Sequence, residues 1–233
     1  MSPLRADAWE AEPMDEPTIL SVGEVAALAT QAARGTGLAW GVAEEFGLAT
    51  AWLHARGISA LDLVADHLAW GEARAWPPVP EALARGMAAN GRAPVSAVLL
   101  GVALSDFAPL GMGARLELGR VHAPLLLLPH LSFLVGGEGA IELRWTGHRV
   151  VLAPGGSPDG DVDALAALGE TTPTLTQRRA EDRLATAKRP EGATLPPVGA
   201  GTLEALKALA LRTCVPASAA SRAGAGSDRS DND

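Results

Sequence analysis

The hydrophobic period of this chain changes across a proline-rich joint. Before Trp76-Pro77-Pro78-Val79-Pro80, apolar residues recur three and four positions apart; beyond Pro94 they come as short continuous runs or strict alternations. A helix returns a side chain to one face about every 3.6 residues and a strand every two, so one pattern cannot serve both. The chain is therefore constrained to a helical first part and a β-rich second part. That is an α+β class, with an N-terminal helical subdomain packed on a small mixed or antiparallel sheet and followed by a C-terminal helix and tail.

In the first part, Ser21-Val22-Gly23-Glu24 has capping-box spacing. There the serine hydroxyl and the Glu carboxylate each satisfy an open backbone N–H of the first turn. The helix runs to about Ala33, with Val22, Val25, Ala26, Ala29, Ala32 and Ala33 on one face, and Gly35 and Gly37 stop it. A second helix spans about Ala39 to Ala55, ended by Gly57, with an apolar stripe of Val42, Phe46, Ala49 and Leu53. Ser59-Ala60-Leu61-Asp62 caps a third, with Leu61, Val64, Ala65 and Leu68 facing inward, and Glu81 to Ala89 reads as a further short helix.

In the second part, Val95 to Leu104 and Pro124 to Val135 suit buried strands, a helix being the alternative for Val95 to Leu104. Leu116 and Leu118 alternate with Glu117 and Gly119. Ile141, Leu143 and Trp145 alternate with Glu142, Arg144 and Thr146, and Gly147-His148 turns the chain into Arg149 to Leu152 as a hairpin. Residues 153–160 read as a loop, and residues 170–200 as a loop with one short strand or helix. Thr202 to Arg212 is the last helix, with Leu203, Leu206, Leu209 and Ala210 inward. The domain boundaries that follow are a flexible leader over 1–18, one α+β domain over 19–212 that divides at 91/92, and a tail over 213–233.

Composition narrows the function. With 233 residues, 48% of them hydrophobic, the chain is long enough for one sizeable core. Its net charge of −8 argues against nucleic acid and against an anionic membrane surface, both of which call for Lys and Arg. A single cysteine, Cys214, excludes an internal disulfide and a cysteine-rich zinc site, and fits the cytoplasm. Cys214 reads as a small, nearly buried hydrophobe after the last helix. The longest apolar run, Ala123 to Val135, is broken by Pro124, Pro129 and His130 and is too short to span a bilayer. No Gly-x-Ser-x-Gly and no His-x-x-x-His occurs, so neither a nucleophile nor a metal is expected, and no cofactor is expected. His54 and His67 fall on or near polar helix faces and His148 in a turn, while His122 and His130 read as satisfied histidines at strand ends.

The densest chemistry lies in Ala32-Ala33-Arg34-Gly35-Thr36-Gly37-Leu38-Ala39-Trp40-Gly41-Val42-Ala43-Glu44-Glu45. Arg34-Gly35-Thr36-Gly37 ahead of a helix start is a candidate seat for a phosphate or carboxylate, a tight interhelical turn being the plain alternative. On the second helix, Glu45 falls inside the apolar arc and Glu44 opposite it, so Glu45 should be the more buried of the two. Arg34 is the nearest partner for it in sequence. Gly111-Met112-Gly113 and Gly136-Gly137-Glu138-Gly139 read as turns. In the tail, Arg222 and Asp231 have the charges to pair with this block if the tail docks.

Three segments carry a family resemblance. They are the Ala32–Glu45 block, the Ala123-Pro124-Leu125-Leu126-Leu127-Leu128-Pro129 run, and Arg212-Thr213-Cys214-Val215-Pro216-Ala217-Ser218 with the closing Ser230-Asp231-Asn232-Asp233. Together they resemble a bacterial family known as domain of unknown function 3726, from about Ser21 onward. The resemblance implies a single cytoplasmic domain and no particular activity. Members of that family often carry an aromatic residue where this chain has Cys214, which argues against a catalytic role for the thiol.

The ligand-binding candidates are therefore Arg34, Trp40, Glu44, Glu45, Arg222 and Asp231. The expected function is small-molecule binding, or an accessory role in a metabolic assembly with a protein partner, a homo-oligomer being one form of that. The alternative is a small enzyme acting on a polar or anionic metabolite, with Arg34 and Arg222 as clamps and Glu45 or a histidine as acid/base.

Overall fold

The computed structural model describes residues 17–79, 93–107, 113–135, 139–153, 157–179 and 193–214. The expected helix at Glu81–Ala89, most of the leader, nearly all of the tail and parts of both glycine turns lie outside the described residues.

Helix α1 (Val22–Gly35) begins on the expected capping box. Glu24 N–H donates to Ser21 Oγ at 3.2 Å and Ser21 N–H donates to Glu24 Oε2 at 2.7 Å. Helix α2 (Trp40–His54) packs along α1, and α1 also packs on the C-terminal helix α7 (Ala200–Leu211). Two glycines permit these approaches: a Cβ on Gly35 would meet the Leu209 carbonyl of α7, and one on Gly47 would meet Thr30 and the Ala26 carbonyl of α1. Helix α2 is buried beyond its predicted stripe, for Ala43, Gly47, Thr50, Ala51 and His54 are buried too. His54 is thus not on a polar face; its Nε2–H donates to the Leu20 carbonyl at 2.9 Å.

Helix α3 (Leu61–Glu72) starts one residue later than Ser59 requires, so Ala60 is its N-cap and no side chain caps it. The predicted stripe of Leu61, Val64 and Leu68 is buried, but so is His67, again contrary to the sequence reading. The Thr202 hydroxyl donates to Asp62, and Arg212 pairs with Glu72, tying α7 to α3.

Beyond the joint, strand β1 (Val95–Ser96) passes directly into helix α4 (Ala97–Phe107), so the Val95–Leu104 run is mostly helix. Strand β2 (Arg115–Glu117) and strand β3 (Val121–His122) follow. The Pro124–Val135 run is not a strand: a 3₁₀ turn (Pro124–Leu127) leads into helix α5 (Leu128–Leu134). Each proline lies in a first helical turn, where its missing N–H leaves no bond unmade. Leu125 to Leu128 and Leu131 are all buried, so this run has no polar face to reveal a helical period.

Strands β4 (Gly139–Trp145) and β5 (His148–Leu152) form the expected hairpin, with Trp145 opposite His148 and Gly147 at φ +81° in the turn. Strand β6 (Asp159–Gly160), helix α6 (Val162–Ala166), strand β7 (Glu170–Thr171) and strand β8 (Thr174–Arg179) complete two sheets. One is five-stranded and antiparallel, in the order β2-β8-β4-β5-β6; the other is three-stranded and mixed, in the order β1-β3-β7. The α+β architecture, with N-terminal helices, sheet and a C-terminal helix, is as read from the sequence. One core cluster runs through it, joining Val25, Phe46 and Leu68 of the helices to Leu104, Leu131, Ile141, Leu175 and Leu206.

Two smaller expectations change. Thr18 bridges Val198, with N–H to carbonyl distances of 2.9 and 2.8 Å in the two directions, so ordered chain begins before residue 19. Cys214 is exposed, because it falls past the last buried turn of α7.

The glycine contacts give a direct test. Gly35→Ala should destabilise the protein by about 1–3 kcal/mol, since a new methyl group has to displace a backbone carbonyl. Gly41→Ala, where nothing lies within 4 Å of the added atom, should be neutral or slightly stabilising. Urea unfolding of both variants measures the contrast.

Candidate functional site

Arg34, in the last turn of α1, and Trp40, the first residue of α2, are brought together. The guanidinium lies 5.6 Å from the centre of the indole and donates from Nη1 to the Leu38 carbonyl. The amides of the turn between them are bonded within the turn. Thr36 N–H is shared by the Ala32 and Ala33 carbonyls at 3.2 Å, Gly37 N–H goes to Arg34 O at 3.0 Å, and Leu38 N–H to Ala33 O at 3.3 Å. These three donors are spent on closing α1, whereas the first turn of α2 has no side-chain cap at Ala39. What remains is a side-chain cleft of about 430 Å³ between the end of α1, the start of α2 and the end of α7, lined by Thr30, Gln31, Arg34, Gly35, Trp40, Arg212 and Thr213.

Glu45 and Glu44 separate as expected: Glu44 is exposed and Glu45 half-buried. The partner of Glu45 is not Arg34. Its Oε2 lies 3.9 Å from His130 Nδ1, in α5. Burial raises the Glu45 pKa, and nearby Asp106 raises it further. Burial lowers that of His130 to about 4, and its Nε2 has no hydrogen-bond partner among the described residues. The distance alone would make this an ion pair. We read it as a carboxylate beside a neutral imidazole, because a buried ring without a closer charge holds no proton at neutral pH.

A hydrogen-bonded polar group in the core escaped the sequence reading. His67 of α3 lies nearly coplanar with His122 of β3, at 19°, and their Nδ1 atoms are 2.8 Å apart. His67 Nε2 is 2.9 Å from Ser96 Oγ, and Ser96 also caps α4 by accepting Leu99 N–H at 3.3 Å. Trp70 stacks beneath both rings, 4.2 Å from His122 and 5.6 Å from His67, while Phe46 and Trp76 close on His67. His67 and Trp70 are three apart on one helix and so share a face. That spacing was the available signal.

Hydrogen-bond satisfaction fixes the polarity of this line. Ser96 is buried, and among the described residues its hydroxyl has one acceptor, His67 Nε2. His67 then carries its proton on Nδ1 and donates to His122 Nδ1, which leaves His122 to present Nε2–H away from the core. Burial, with His122 adding to it, depresses the His67 pKa to about 3. Burial also lowers that of His122; Glu170 and Asp66 oppose the effect and Arg74 reinforces it. Both rings are neutral at pH 7. Among the described residues no group of three metal-binding side chains occurs. Arg222 and Asp231 lie outside the described residues.

These histidines make stability depend on pH. A histidine with a folded pKa near 3 or 4 stays neutral while the unfolded chain takes up its proton near pH 6.5. Their contribution is therefore complete above about pH 6.5 and is lost as pH falls toward 4, by up to about 1.4 kcal/mol per pH unit for each group. The urea midpoint should fall between pH 7 and pH 5, and His130→Gln should flatten that slope. Equal stability at both pH values would contradict these assignments.

The model of the family described as protein of unknown function (DUF3726) matches residues 20–115. No curated protein and no solved structure matches the chain. The match takes in Arg34, Trp40, Glu44, Glu45, His67 and Ser96, whereas His122, His130 and Arg212 fall beyond it. The likeness to DUF3726 thus extends from the chain entering α1 to the first residue of β2, and it is the family that the Ala32–Glu45 block resembles.

Proposed function

We propose that this is a small-molecule-binding protein whose ligand enters the cleft between Arg34, Trp40 and Arg212. The observation that carries the reading is the Trp40 indole, 62% exposed and placed beside one guanidinium in a cleft whose wall holds another. An indole left in water gains by covering its face, and a guanidinium beside it selects a planar group that carries a carboxylate or phosphate. Arg34 commits one N–H to Leu38 and Arg212 one to Glu72, so each keeps donors for a ligand. An accessory subunit that binds a metabolite for a partner protein, or for a second copy of itself, would use the same cleft. The net charge of −8 and the single cysteine support a cytoplasmic setting without nucleic acid, and among the described residues no helix is long and apolar enough to cross a membrane.

A second reading, a small enzyme for a polar or anionic metabolite, is favoured by one observation. The Ser96–His67–His122 line presents a neutral Nε2–H at a half-exposed ring, rimmed by Asp66, Arg74 and Glu170. A neutral imidazole N–H can polarise a carbonyl oxygen without carrying charge. Glu45 belongs to a different set of neighbours, so in this reading a histidine, and not Glu45, works on the substrate.

Benzoate and adenosine monophosphate, which pair a planar ring with an anion, probe the first reading against acetate. Both should raise the melting temperature and quench tryptophan fluorescence. Arg34→Ala and Trp40→Leu should each weaken binding about tenfold or more, and His122→Gln should leave it unchanged. No binding of either probe, or binding indifferent to Arg34 and Trp40, would remove the cleft as the site.

A further inference from the structure

We propose that the outer face of the five-stranded sheet holds a second ligand site, for a phosphate-bearing small molecule gripped between Arg144 and Arg149. The two residues stand directly opposite each other on β4 and β5. Like charges in that position destabilise a sheet. They share one negative charge. Glu142, 4% exposed, takes Arg144 Nε on one carboxylate oxygen; its other oxygen lies 3.7 Å from Arg149 Nη1 and 3.3 Å from Arg178 Nη2. Arg178 has further contacts of its own. The guanidinium groups of Arg144 and Arg149 meet no acid besides Glu142 among the described residues, and the two side chains are 58% and 55% exposed. A chain with a net charge of −8 thus presents two guanidinium groups side by side on one hollow.

That hollow, of about 420 Å³, is bounded by the two arginines with Thr146, His148, Thr172 and Thr174. The acid on its edge, Asp161, is already occupied. Its Oδ2 accepts Arg149 backbone N–H at 2.9 Å and lies 3.5 Å from His148 Nδ1. The buried Glu142 carboxylate holds the guanidinium groups in place before a ligand arrives, which lowers the ordering cost of binding. Two guanidinium forks suit the several oxygens of a phosphate dianion, and threonine hydroxyls supply neutral donors beside them. A carboxylate offers two oxygens and one charge, and satisfies the pair less well. This site lies outside residues 20–115 and shares no residue with the Arg34 cleft.

Calorimetric titration of the full chain with inorganic phosphate and with pyrophosphate tests the site, with sodium chloride at matched ionic strength as the control. Both anions should bind saturably, pyrophosphate the tighter. Arg144→Gln and Arg149→Gln should each weaken binding about tenfold, and Arg149→Lys should recover only part of it, because an ammonium cannot make the forked contact. Phosphate binding that is lost in Arg34→Gln and kept in both sheet variants would belong to the cleft and would overturn the proposal. Each single variant still leaves Glu142 a guanidinium partner, so the result does not depend on the double variant folding. No heat beyond the chloride control, or phosphate binding unaltered in both single variants, would overturn the proposal.

Discussion

The hydrogen-bonded line from Ser96 through His67 to His122 joins three parts of the chain that sequence keeps far apart. His67 belongs to α3, Ser96 ends β1 and caps α4, and His122 belongs to β3, the middle strand of the three-stranded sheet. The helical part meets the sheet through these side chains as well as through apolar packing. Apolar contacts hold surfaces together but tolerate sliding; a chain of directional bonds does not. Loss of one member would leave a buried donor or acceptor unmade, at a cost of about 1–3 kcal/mol. The aromatic walls of Phe46, Trp70 and Trp76 keep water from substituting for the lost partner.

Local features of the fold were legible where local chemistry decides them. The capping box at Ser21 and Glu24 and the hairpin around Gly147 needed only neighbouring residues, and both stand where their spacing put them. The Pro124–Val135 run was misread because its first turns are wholly buried and the residue it exposes, Phe133, is apolar too, and a segment with no polar face carries no period. His54 and His67 were misplaced for a related reason: a histidine counts as polar in a pattern. Its ring can nevertheless be buried when a carbonyl or hydroxyl elsewhere in the chain receives it. Those receivers, Leu20 and Ser96, are set by tertiary structure alone.

The candidate sites divide in the same way. Arg34 and Trp40 are six positions apart across one turn, and the turn itself sets the cation–π pair, so they could be found from sequence. His130 is 85 positions from Glu45, and nothing local to either announces the other. The arginine pair on the sheet was hidden by a rule that works elsewhere. Polar residues alternating along a strand signal a solvated face, and Glu142, Arg144 and Arg149 obey that alternation. The pattern does not say that one of the three is buried beneath the other two.

Trp76 has a consequence for how the chain leaves its helical part. Ala75 and Trp76 both adopt left-handed backbone, at φ 50° and 47°, a region where residues with a Cβ cost about 1–3 kcal/mol each. The indole offsets this by donating Nε1–H to the Thr36 carbonyl at 3.1 Å, by lying over Gly71 and by meeting the edge of His67. The heading of the polypeptide into Pro77 and Pro78 is thus written in a side chain and not in the backbone's own preference. A smaller residue at this position would release the bend, and the prolines, stiff themselves, would carry the new direction forward unchanged. The direction in which the chain enters Pro77 is, in that sense, stored in one indole ring.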